Sequence, residues 1–404
     1  MTLTLRPHQT KAVKAMLRNT KGQIIIPTGG GKTMCMIDDA MNEFSRTVLS
    51  KTIVVVAPRI LLANQLSAEF LYHNLDGAAE SNATVNVMYV HSGETHHFST
   101  TKVDEIRQFN YQTACDEKHL LIFTTYHSLH KNVDSHIVVD TIYFDEAHNS
   151  VQKNFFPATE HFSHFAERCY YFTATPKHSR SPVKAGMNWP EYGQVICQVP
   201  APQLVKEGYI LPPKVEVYQS RILQKDELVA DRDCEQMIDS IDNICKNKVL
   251  ICAKSTKQII ALLSQTDFIQ ELADRGYSWL TITSKTGAIV DGEKVDREEF
   301  FNTLNAWGKD TTKKFVVLHH SILSEGINVN GLEAVLFLRS MDYIGISQTI
   351  GRVIRLGDAT KTFGLVCIPV YSKVGITTAR KVEAVVDTVS VSYTHLTLPT
   401  NREV

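Results

Sequence analysis

The chain has 404 residues, of which 43% are hydrophobic and 21% are charged, and its formal net charge is −1. This length predicts two or three domains, and the apolar content excludes a chain that is disordered throughout. A nucleic-acid partner would need a local basic surface, because the overall charge supplies no attraction. We find no signal peptide and no apolar run of about 18 residues, so we expect no membrane partner and a location in the cytoplasm or at the nucleoid.

In the first half of the chain, short apolar segments alternate with segments of helical periodicity. This alternation predicts an α/β fold built from βαβ units, with a parallel sheet and helices on both faces. The predicted strands are residues 23–26, 52–57, 85–90, 120–124, 141–144 and 170–173. The predicted helices are residues 8–18, 33–44, 61–72 and 102–109.

A glycine-rich turn follows the first of these strands and leads into a helix. It consists of Pro27, Thr28, Gly29, Gly30, Gly31, Lys32 and Thr33. A strand, a glycine loop and a helix in this order are typical of a phosphate-binding loop, in which backbone N–H groups and the helix N-terminus face phosphate oxygens. Lys32 can reach the β- and γ-phosphates, and the Thr33 hydroxyl can hold Mg²⁺. The usual pattern opens with Gly or Ala, whereas this chain has Ile26.

Two adjacent carboxylates, Asp145 and Glu146, follow the strand predicted at residues 141–144. Such a pair at a strand end suits a site for a magnesium nucleotide: Asp145 can hold Mg²⁺, and Glu146 can orient and deprotonate the attacking water. His148 follows closely and can couple this site to the next motif, which contains Thr173 and Thr175. The hydroxyls of those threonines can form hydrogen bonds with the acidic motif.

The second half repeats the alternation after a proline-containing connector. Its predicted strands are residues 248–253, 279–283, 314–319, 334–338 and 362–369. Its predicted helices are residues 237–244, 256–263, 297–307 and 346–354. We predict one domain at residues 1–200, a linker at 201–215 and a second domain at 216–390. Residues 391–404 break the pattern and resemble a non-native or read-through tail.

The helix predicted at residues 346–354 places Gln348, Arg352 and Arg355 on one face. Two arginines directed at one point can stabilise charge on a γ-phosphate that is being transferred. Apolar residues on the opposite face of the same helix argue against a merely solvated basic surface.

Taken in order, these motifs resemble those of superfamily 2 DNA helicases and translocases of the DEAD/DEAH-box type. The resemblance is greatest to the branch that contains restriction-enzyme motor subunits and the XPB- and UvsW-type helicases. The motifs are residues 5–9, 27–33, 145–148, 173–176, 324–328 and 348–355. The resemblance implies two tandem RecA-like domains that use ATP and Mg²⁺.

Further site residues are implied by this resemblance. Gln9, with Arg6 beside it, corresponds to the glutamine that recognises adenine. Gly326 and Asn328 correspond to a motif that senses the γ-phosphate, although Asn328 stands where the family commonly has another residue. Contacts to nucleic acid are implied for Pro58, Arg59, Thr124, Thr125, Lys254, Ser284 and Lys285.

The function that follows from the resemblance is an ATP-dependent motor that separates or remodels nucleic-acid strands. We expect single-stranded or branched duplex DNA as the partner, in preference to RNA. The sequence leaves three alternatives: a double-strand translocase that serves a nuclease or recombination complex without unwinding, an RNA helicase, and an ATP-gated clamp with little turnover. It also leaves the oligomeric state open, and a monomer is the simplest case.

Overall fold

The computed structural model describes residues 4–47, 49–75, 85–93, 98–219, 223–283, 285–320, 331–338, 349–350, 361 and 363–370. The chain divides into two units, Met1–Val199 and Pro200–Val404. Each unit contains its own β-sheet. The residues predicted as a linker hold a short helix and the first residues of a strand, and those predicted as a tail lie outside the described residues. The functional boundaries of the domains stay a prediction.

The first unit alternates strands and helices along the chain. Its strands are β1 (Lys21–Ile25), β2 (Thr52–Ala57), β3 (Val85–Val90), β4 (His119–Thr125), β5 (Thr141–Phe144), β6 (Arg168–Thr173) and β7 (Val195–Gln198). Its helices are α1 (Pro7–Met16), α2 (Lys32–Ser45), α3 (Ile60–Leu75), α4 (Val103–Cys115), α5 (Leu129–Asp134) and α6 (Phe156–Phe165). All strand pairs recorded in this unit are parallel, in the order β3-β4-β2-β5-β6-β1-β7.

Both faces of this first sheet are covered by helices. Val54 and Ile142 lie in one apolar cluster with Ile106 of α4 and Phe162 of α6. On the opposite face, the Phe123 ring of β4 packs against α3, and the Tyr143 hydroxyl of β5 meets α2. Strands buried on both faces have near-continuous apolar sequences, which is why β2, β4 and β5 contain so few charged residues.

The second unit contains a mixed sheet. Its strands are β8 (Pro213–Gln219), β9 (Lys248–Cys252), β10 (Ser278–Thr283), β11 (Gly287–Val290), β12 (Glu293–Val295), β13 (Phe315–His319), β14 (Ala334–Phe337) and β15 (Gly364–Val370). Its helices are α7 (Ala201–Lys206), α8 (Val229–Ile244), α9 (Thr256–Ser264), α10 (Phe268–Asp274) and α11 (Arg297–Lys309). The strand order is β12-β11-β10-β13-β9-β14-β15-β8, and only the pairs formed by β11 are antiparallel among those recorded.

The predicted α/β class is confirmed, and the first sheet is parallel with helices on both faces, whereas the second is mixed. Strands β7, β8, β11 and β12 were not predicted, and β11 and β12 add an antiparallel edge to the second sheet. The helix predicted at residues 346–354 lies almost entirely outside the described residues. In the part of the chain that the structure describes, no helix is both long and apolar enough to cross a membrane.

Strand order brings the sequence motifs of the first unit together. Strand β6 lies between β5 and β1, and all three run parallel. The register pairs Ile25 with Thr173 and Phe144 with Tyr171. The glycine loop after β1, the acidic pair after β5 and the threonines at the end of β6 therefore emerge at the same edge of the sheet. This carboxyl edge is where ligands bind in open parallel sheets.

Candidate active site

The glycine loop has a backbone conformation that its glycines make possible. Gly29 and Gly31 have φ angles of 84° and 79°, in the left-handed region that side chains rarely adopt. A Cβ atom on Gly31 would lie 2.2 Å from the Gln9 Nε2 atom. Gly31 is also the N-cap of α2, and no side chain caps this helix. The N–H groups of the first turn of α2 are thus left without an intrahelical acceptor and can bind an anion.

Helix α1 braces this loop through two buried side chains. His8 Nε2 donates to the Gly30 carbonyl oxygen at 2.7 Å, and Gln9 Nε2 donates to the carbonyl oxygens of Gly30 and Gly31 at 3.3 and 3.1 Å. The Gln9 Oε1 atom in turn accepts the backbone N–H of Arg6 at 2.8 Å. In this structure Gln9 therefore positions the loop. The adenine contact expected of Gln9 and Arg6 stays a prediction.

Lys32 and Glu146 meet at the centre of the site. Lys32 Nζ lies 3.4 Å from Glu146 Oε1, and the two side chains are only 9% and 10% exposed. Glu146 has φ 45° and ψ 52°, which is uncommon for a residue with a side chain. This conformation is held by the short 3₁₀ helix Ala147–Asn149, because the Asn149 amide N–H donates to the Glu146 carbonyl oxygen at 3.0 Å. The backbone thus fixes the direction in which the Glu146 side chain leaves the chain.

The carboxyl of Asp145 has a strongly raised pKa. Burial, and next the neighbouring Glu146 carboxylate, raise the pKa of Asp145 to about 7, whereas the Lys32 ammonium opposes this shift. One buried ammonium is thus shared by two buried carboxylates. A divalent cation would supply the missing positive charge, so the donor set fits Mg²⁺. Thr33, in the first turn of α2 beside Lys32, adds a hydroxyl of the kind found in such sites.

The residues predicted to couple the motifs form a short chain of contacts. His148 Nδ1 lies 3.6 Å from Glu146 Oε2 and 2.9 Å from the Thr173 hydroxyl. The same Thr173 hydroxyl accepts the backbone N–H of Thr175 at 3.1 Å. The buried Thr175 hydroxyl has no hydrogen-bond partner within the described residues. A contact path thus runs from the carboxylate to the segment after β6, while its coupling role stays a prediction.

The buried Tyr126 side chain supports the acidic motif from β4, a role that the sequence did not reveal. Its hydroxyl donates to the Asp145 carbonyl oxygen at 2.8 Å. The Asp145 N–H donates to the Val56 carbonyl oxygen at 2.9 Å. The backbone of Asp145 is therefore held from β2 and from the residue that follows β4. From sequence alone, residues 124–126 resembled a contact to nucleic acid, and no feature of Tyr126 indicated a neighbour in β5.

A second group missed from the sequence anchors helix α2 to the sheet. The Arg168 guanidinium binds Asp39 Oδ1 and Glu43 Oε2, each at 2.8 Å. The Tyr143 hydroxyl donates to Asp39 Oδ2 at 2.7 Å, and the Thr141 hydroxyl donates to Glu43 Oε2 at 2.6 Å. Asp39 and Glu43 are four residues apart on the helix that begins at Lys32. The signal in the sequence was a pair of carboxylates on an otherwise buried helix face.

Among the residues predicted to contact nucleic acid, those of the first unit are mostly internal. The Thr124 hydroxyl donates to the Val90 carbonyl oxygen at 2.9 Å, and the Thr125 hydroxyl lies 3.4 Å from the Ser128 hydroxyl. Pro58 and Arg59 lie between β2 and α3. In the second unit, Lys254 and Lys285 are exposed just after β9 and β10. The contacts expected of these residues stay predictions.

Several predicted site residues lie outside the described part of the chain. They are Ser284, Gly326, Asn328, Gln348, Arg352 and Arg355. Their roles in sensing the γ-phosphate, in hydrolysis and in binding nucleic acid stay predictions. The residues that the structure brings together are therefore those of the first unit: the glycine loop, the acidic pair, His148 and the two threonines.

Known proteins resemble this chain in sequence and in fold. Residues 2–178 match the family model of the Type III restriction enzyme res subunit. A search of the curated proteins gave no match. Among solved structures, the ATP-dependent Type ISP restriction-modification enzyme LlaBIII bound to DNA is similar, with a TM-score of 0.72 and 19% identity. That alignment covers 96% of this chain and 30% of LlaBIII.

Two further structures have the same fold. A nuclease-deletion mutant of the Type ISP enzyme LlaGI, in complex with a DNA substrate mimic, has a TM-score of 0.66 and 20% identity, with 96% of this chain and 29% of LlaGI covered. A fragment of a putative HsdR subunit of a type I restriction enzyme from Vibrio vulnificus YJ016 has a TM-score of 0.57 and 13% identity, with 92% and 64% covered. The chain thus spans less than a third of the two Type ISP enzymes.

The matched region contains the glycine loop, the acidic pair and the threonine motif in the order predicted from the sequence. Residues 2–178 are therefore similar to the res subunit of Type III restriction enzymes, and the chain shares the fold of the three restriction-enzyme structures.

Proposed function

We propose that this chain is the motor portion of an ATP-dependent DNA translocase. The proposal rests on one contact between the glycine loop and the acidic pair. The buried Lys32 Nζ atom lies 3.4 Å from the Glu146 Oε1 atom. A structural ion pair alone would not require a glycine loop that exposes helix N–H groups beside it. The combination supports hydrolysis of a nucleoside triphosphate.

The roles of the residues follow from their chemistry. Lys32 and the amides of the loop bind the phosphates, and Thr33 and Asp145 would hold Mg²⁺, which shields phosphate charge when bound. Glu146 is the base that orients and deprotonates the attacking water, because its buried carboxylate lies 3.4 Å from the Lys32 ammonium that would bind the phosphate. We assign Arg352, Arg355 and Gln348 to stabilising the charge of the transferring γ-phosphate.

DNA is the proposed nucleic-acid partner. Two of the similar structures are restriction-modification enzymes that were solved with DNA or with a DNA substrate mimic. Those enzymes are more than three times as long as the region aligned with this chain, so their nuclease and recognition activities are not carried over. We propose translocation on duplex DNA as the activity, and strand separation remains the second candidate.

The test is an ATPase assay with single-stranded DNA, duplex DNA or RNA added, paired with a strand-displacement assay. We expect duplex DNA to stimulate ATP hydrolysis, with little strand displacement. Stimulation by RNA alone would favour an RNA helicase, and strand displacement would favour a DNA helicase. Absence of turnover under all conditions would leave an ATP-gated clamp and refute the motor.

Two variants assign the chemistry within this assay. Lys32→Ala should abolish turnover without unfolding the protein, whereas Lys153→Ala, an exposed lysine of the same unit, should have no effect. Arg352→Ala should bind ATP but fail to hydrolyse it. Normal turnover of the Lys32 variant would remove the loop from the mechanism, and normal turnover of the Arg352 variant would remove the arginine.

A further inference from the structure

The segment between β6 and the short 3₁₀ helix Pro190–Tyr192 has an unusual charge composition. Residues 174–190 contain no Asp or Glu, although the chain as a whole has slightly more acidic than basic residues. We call residues 177–188 the basic loop. Its positively charged or imidazole side chains are Lys177, His178, Arg180 and Lys184, all of them exposed. Val183, at the outer part of the loop, is 90% exposed.

The base of the basic loop is fixed to the sheet. The Met187 N–H donates to the Lys177 carbonyl oxygen at 2.8 Å. Ser179 and Asn188 form two hydrogen bonds, with the Ser179 N–H donating at 2.8 Å and the Asn188 side-chain amide donating at 3.0 Å. Gln23 of β1 donates to the Met187 carbonyl oxygen at 2.8 Å. A loop closed in this way presents its charges from a defined position and is not a loose connector.

Among the described residues, the positive charges of the basic loop have no acidic partners. Within the described residues, no carboxylate lies within ion-pair distance of Lys177, Arg180 or Lys184. By contrast, Lys51 pairs with Asp140 at 2.7 Å, and Arg168 pairs with Asp39 at 2.8 Å. Three cations within residues 177–184, in a segment that contains no Asp or Glu, create a positive potential that attracts polyanions.

The position of the loop relates it to the candidate active site. It begins two residues after Thr175, whose N–H binds the Thr173 hydroxyl beside His148. Strand β6, from which it leaves, lies between the strands that carry the glycine loop and the acidic pair. The match to the res subunit model ends at residue 178, so most of the basic loop lies outside the region that the family shares.

We propose that the basic loop binds the phosphate backbone of DNA through Lys177, Arg180 and Lys184. This inference rests on the proposed function as a DNA motor and adds a binding site in the first unit. Phosphate contacts of this kind fix the position of the strand without reading its sequence, which suits a motor that moves along any DNA. Because the basic loop begins two residues after Thr175, the bound DNA backbone would lie near the contacts that lead through Thr173 and His148 to Glu146.

The test compares a loop variant with a matched control on the full chain. The loop variant is Lys177→Ala/Arg180→Ala/Lys184→Ala. The control is Lys14→Ala/Arg18→Ala/Lys153→Ala, which removes the same charge from exposed positions of the same unit. Affinity for a duplex of mixed sequence is measured by fluorescence anisotropy at several salt concentrations, together with ATP hydrolysis in the absence of DNA.

We expect the loop variant to bind DNA about tenfold or more weakly, and the slope of log K against log salt to decrease in magnitude by about 2 to 3, because about three counterion-releasing contacts are lost. Hydrolysis without DNA and thermal unfolding should match the wild type. A second variant, Lys177→Arg/Lys184→Arg, keeps the charge and should keep the affinity.

Equal affinities and salt slopes in the loop and control variants would overturn the inference while leaving the motor intact, since the wild type would still bind DNA. Loss of affinity in the charge-conserving variant would also overturn it, because electrostatic contact would then not be the cause. A wild-type chain that neither binds DNA nor responds to it would refute the proposed function itself.

Discussion

Two buried carboxylates and one ammonium share the space at the carboxyl edge of the first sheet. Lys32 is closest to Glu146, and Asp145 adds a second negative charge that burial makes costly. Buried charge of this kind is seldom retained for stability, because removing ions from water costs free energy that packing alone could avoid. The arrangement therefore indicates a site for a cation and a phosphate group.

Replacing Glu146 by Gln should separate binding from hydrolysis. The amide keeps the size of the side chain but cannot take a proton from water, so we expect turnover to fall by about 10² to 10⁴. Binding of a fluorescent ATP analogue should change little, because Lys32 and the loop amides remain. Glu160→Gln, at an exposed position of α6, is the control and should retain full turnover. A Glu146→Gln variant with wild-type turnover would exclude this residue as the base.

The raised pKa of Asp145 predicts a dependence of stability on pH. The carboxyl titrates near 3.8 in an unfolded chain and at about 7 in the folded protein, so the folded state binds the proton more tightly. The favourable contribution of this proton to the free energy of unfolding is therefore fully present below about pH 4 and is lost as the pH rises through about 7. In Mg²⁺-free urea titrations, the free energy of unfolding should fall between about pH 4 and pH 7 and level off above that.

Asp145→Asn removes this titration and should flatten the dependence of unfolding on pH. The same linkage predicts that Mg²⁺ binds more tightly to the wild type as the pH rises through about 7, since the cation displaces the proton. Identical pH profiles for the wild type and the Asn variant would contradict the assignment of the raised pKa to Asp145.

At the scale of elements, helix α2 has to be held so that its first turn faces the phosphates. Apolar packing fixes its distance from the sheet, but it resists sliding along the helix axis only weakly. The contacts of Arg168 with Asp39 and Glu43 are directional, and they join the helix to the neighbouring strands β5 and β6. These same strands end in the acidic pair and in Thr173. One network thus sets the helix and the strands relative to each other.

Arg168→Met should destabilise the first unit by about 3 to 5 kcal/mol, because it leaves the Asp39 carboxylate buried without its cation. Chemical unfolding measures this loss. The double variant Asp39→Asn/Arg168→Met should be less destabilised than the sum of the two single variants, since the unpaired charge is removed. Arg107→Met, which breaks an exposed pair with Asp104, is the control and should have little effect. Additive effects of the Asp39 and Arg168 variants would show that the two residues are not coupled.

At the scale of the whole molecule, the chain is two units, each with its own sheet and apolar cluster. The residues proposed to bind the phosphates and to activate water all belong to the first unit. The arginines proposed to complete hydrolysis belong to the second. Binding of ATP and its hydrolysis should therefore be separable by cutting the chain between the units.

A fragment of residues 1–199 should fold and bind ATP, because the first unit has a complete sheet covered on both faces. It should not hydrolyse ATP at the rate of the full chain, since Arg352 is missing. Circular dichroism, binding of a fluorescent ATP analogue and an ATPase assay test these three statements. Turnover by the fragment at the rate of the full chain would place all catalytic groups in the first unit.

The sequence by itself determined the elements whose signals are local. Alternating apolar segments predicted β2, β3 and β5 with the bounds that the structure has, and glycine spacing predicted the phosphate loop. The hairpin of β11 and β12 also had a local signal that the prediction did not use. Its loop is Asp291-Gly292, and both residues have positive φ, at 46° and 92°, as a type I′ turn requires. Strand β7 had no such signal, because its four residues depend on pairing with β1.

Only the tertiary structure decided which motifs meet. Strand order placed β6 between β5 and β1, which brought Thr173 to His148 and Lys32 to Glu146. It also paired Arg168 with Asp39 and brought the Gln9 side chain within hydrogen-bond distance of the Gly31 carbonyl oxygen. The physical reason is that periodicity and turn chemistry act between residues close in sequence, whereas strand order and buried polar contacts depend on how distant segments pack. The sequence thus determined the chemical groups of the site, and the fold determined their neighbours.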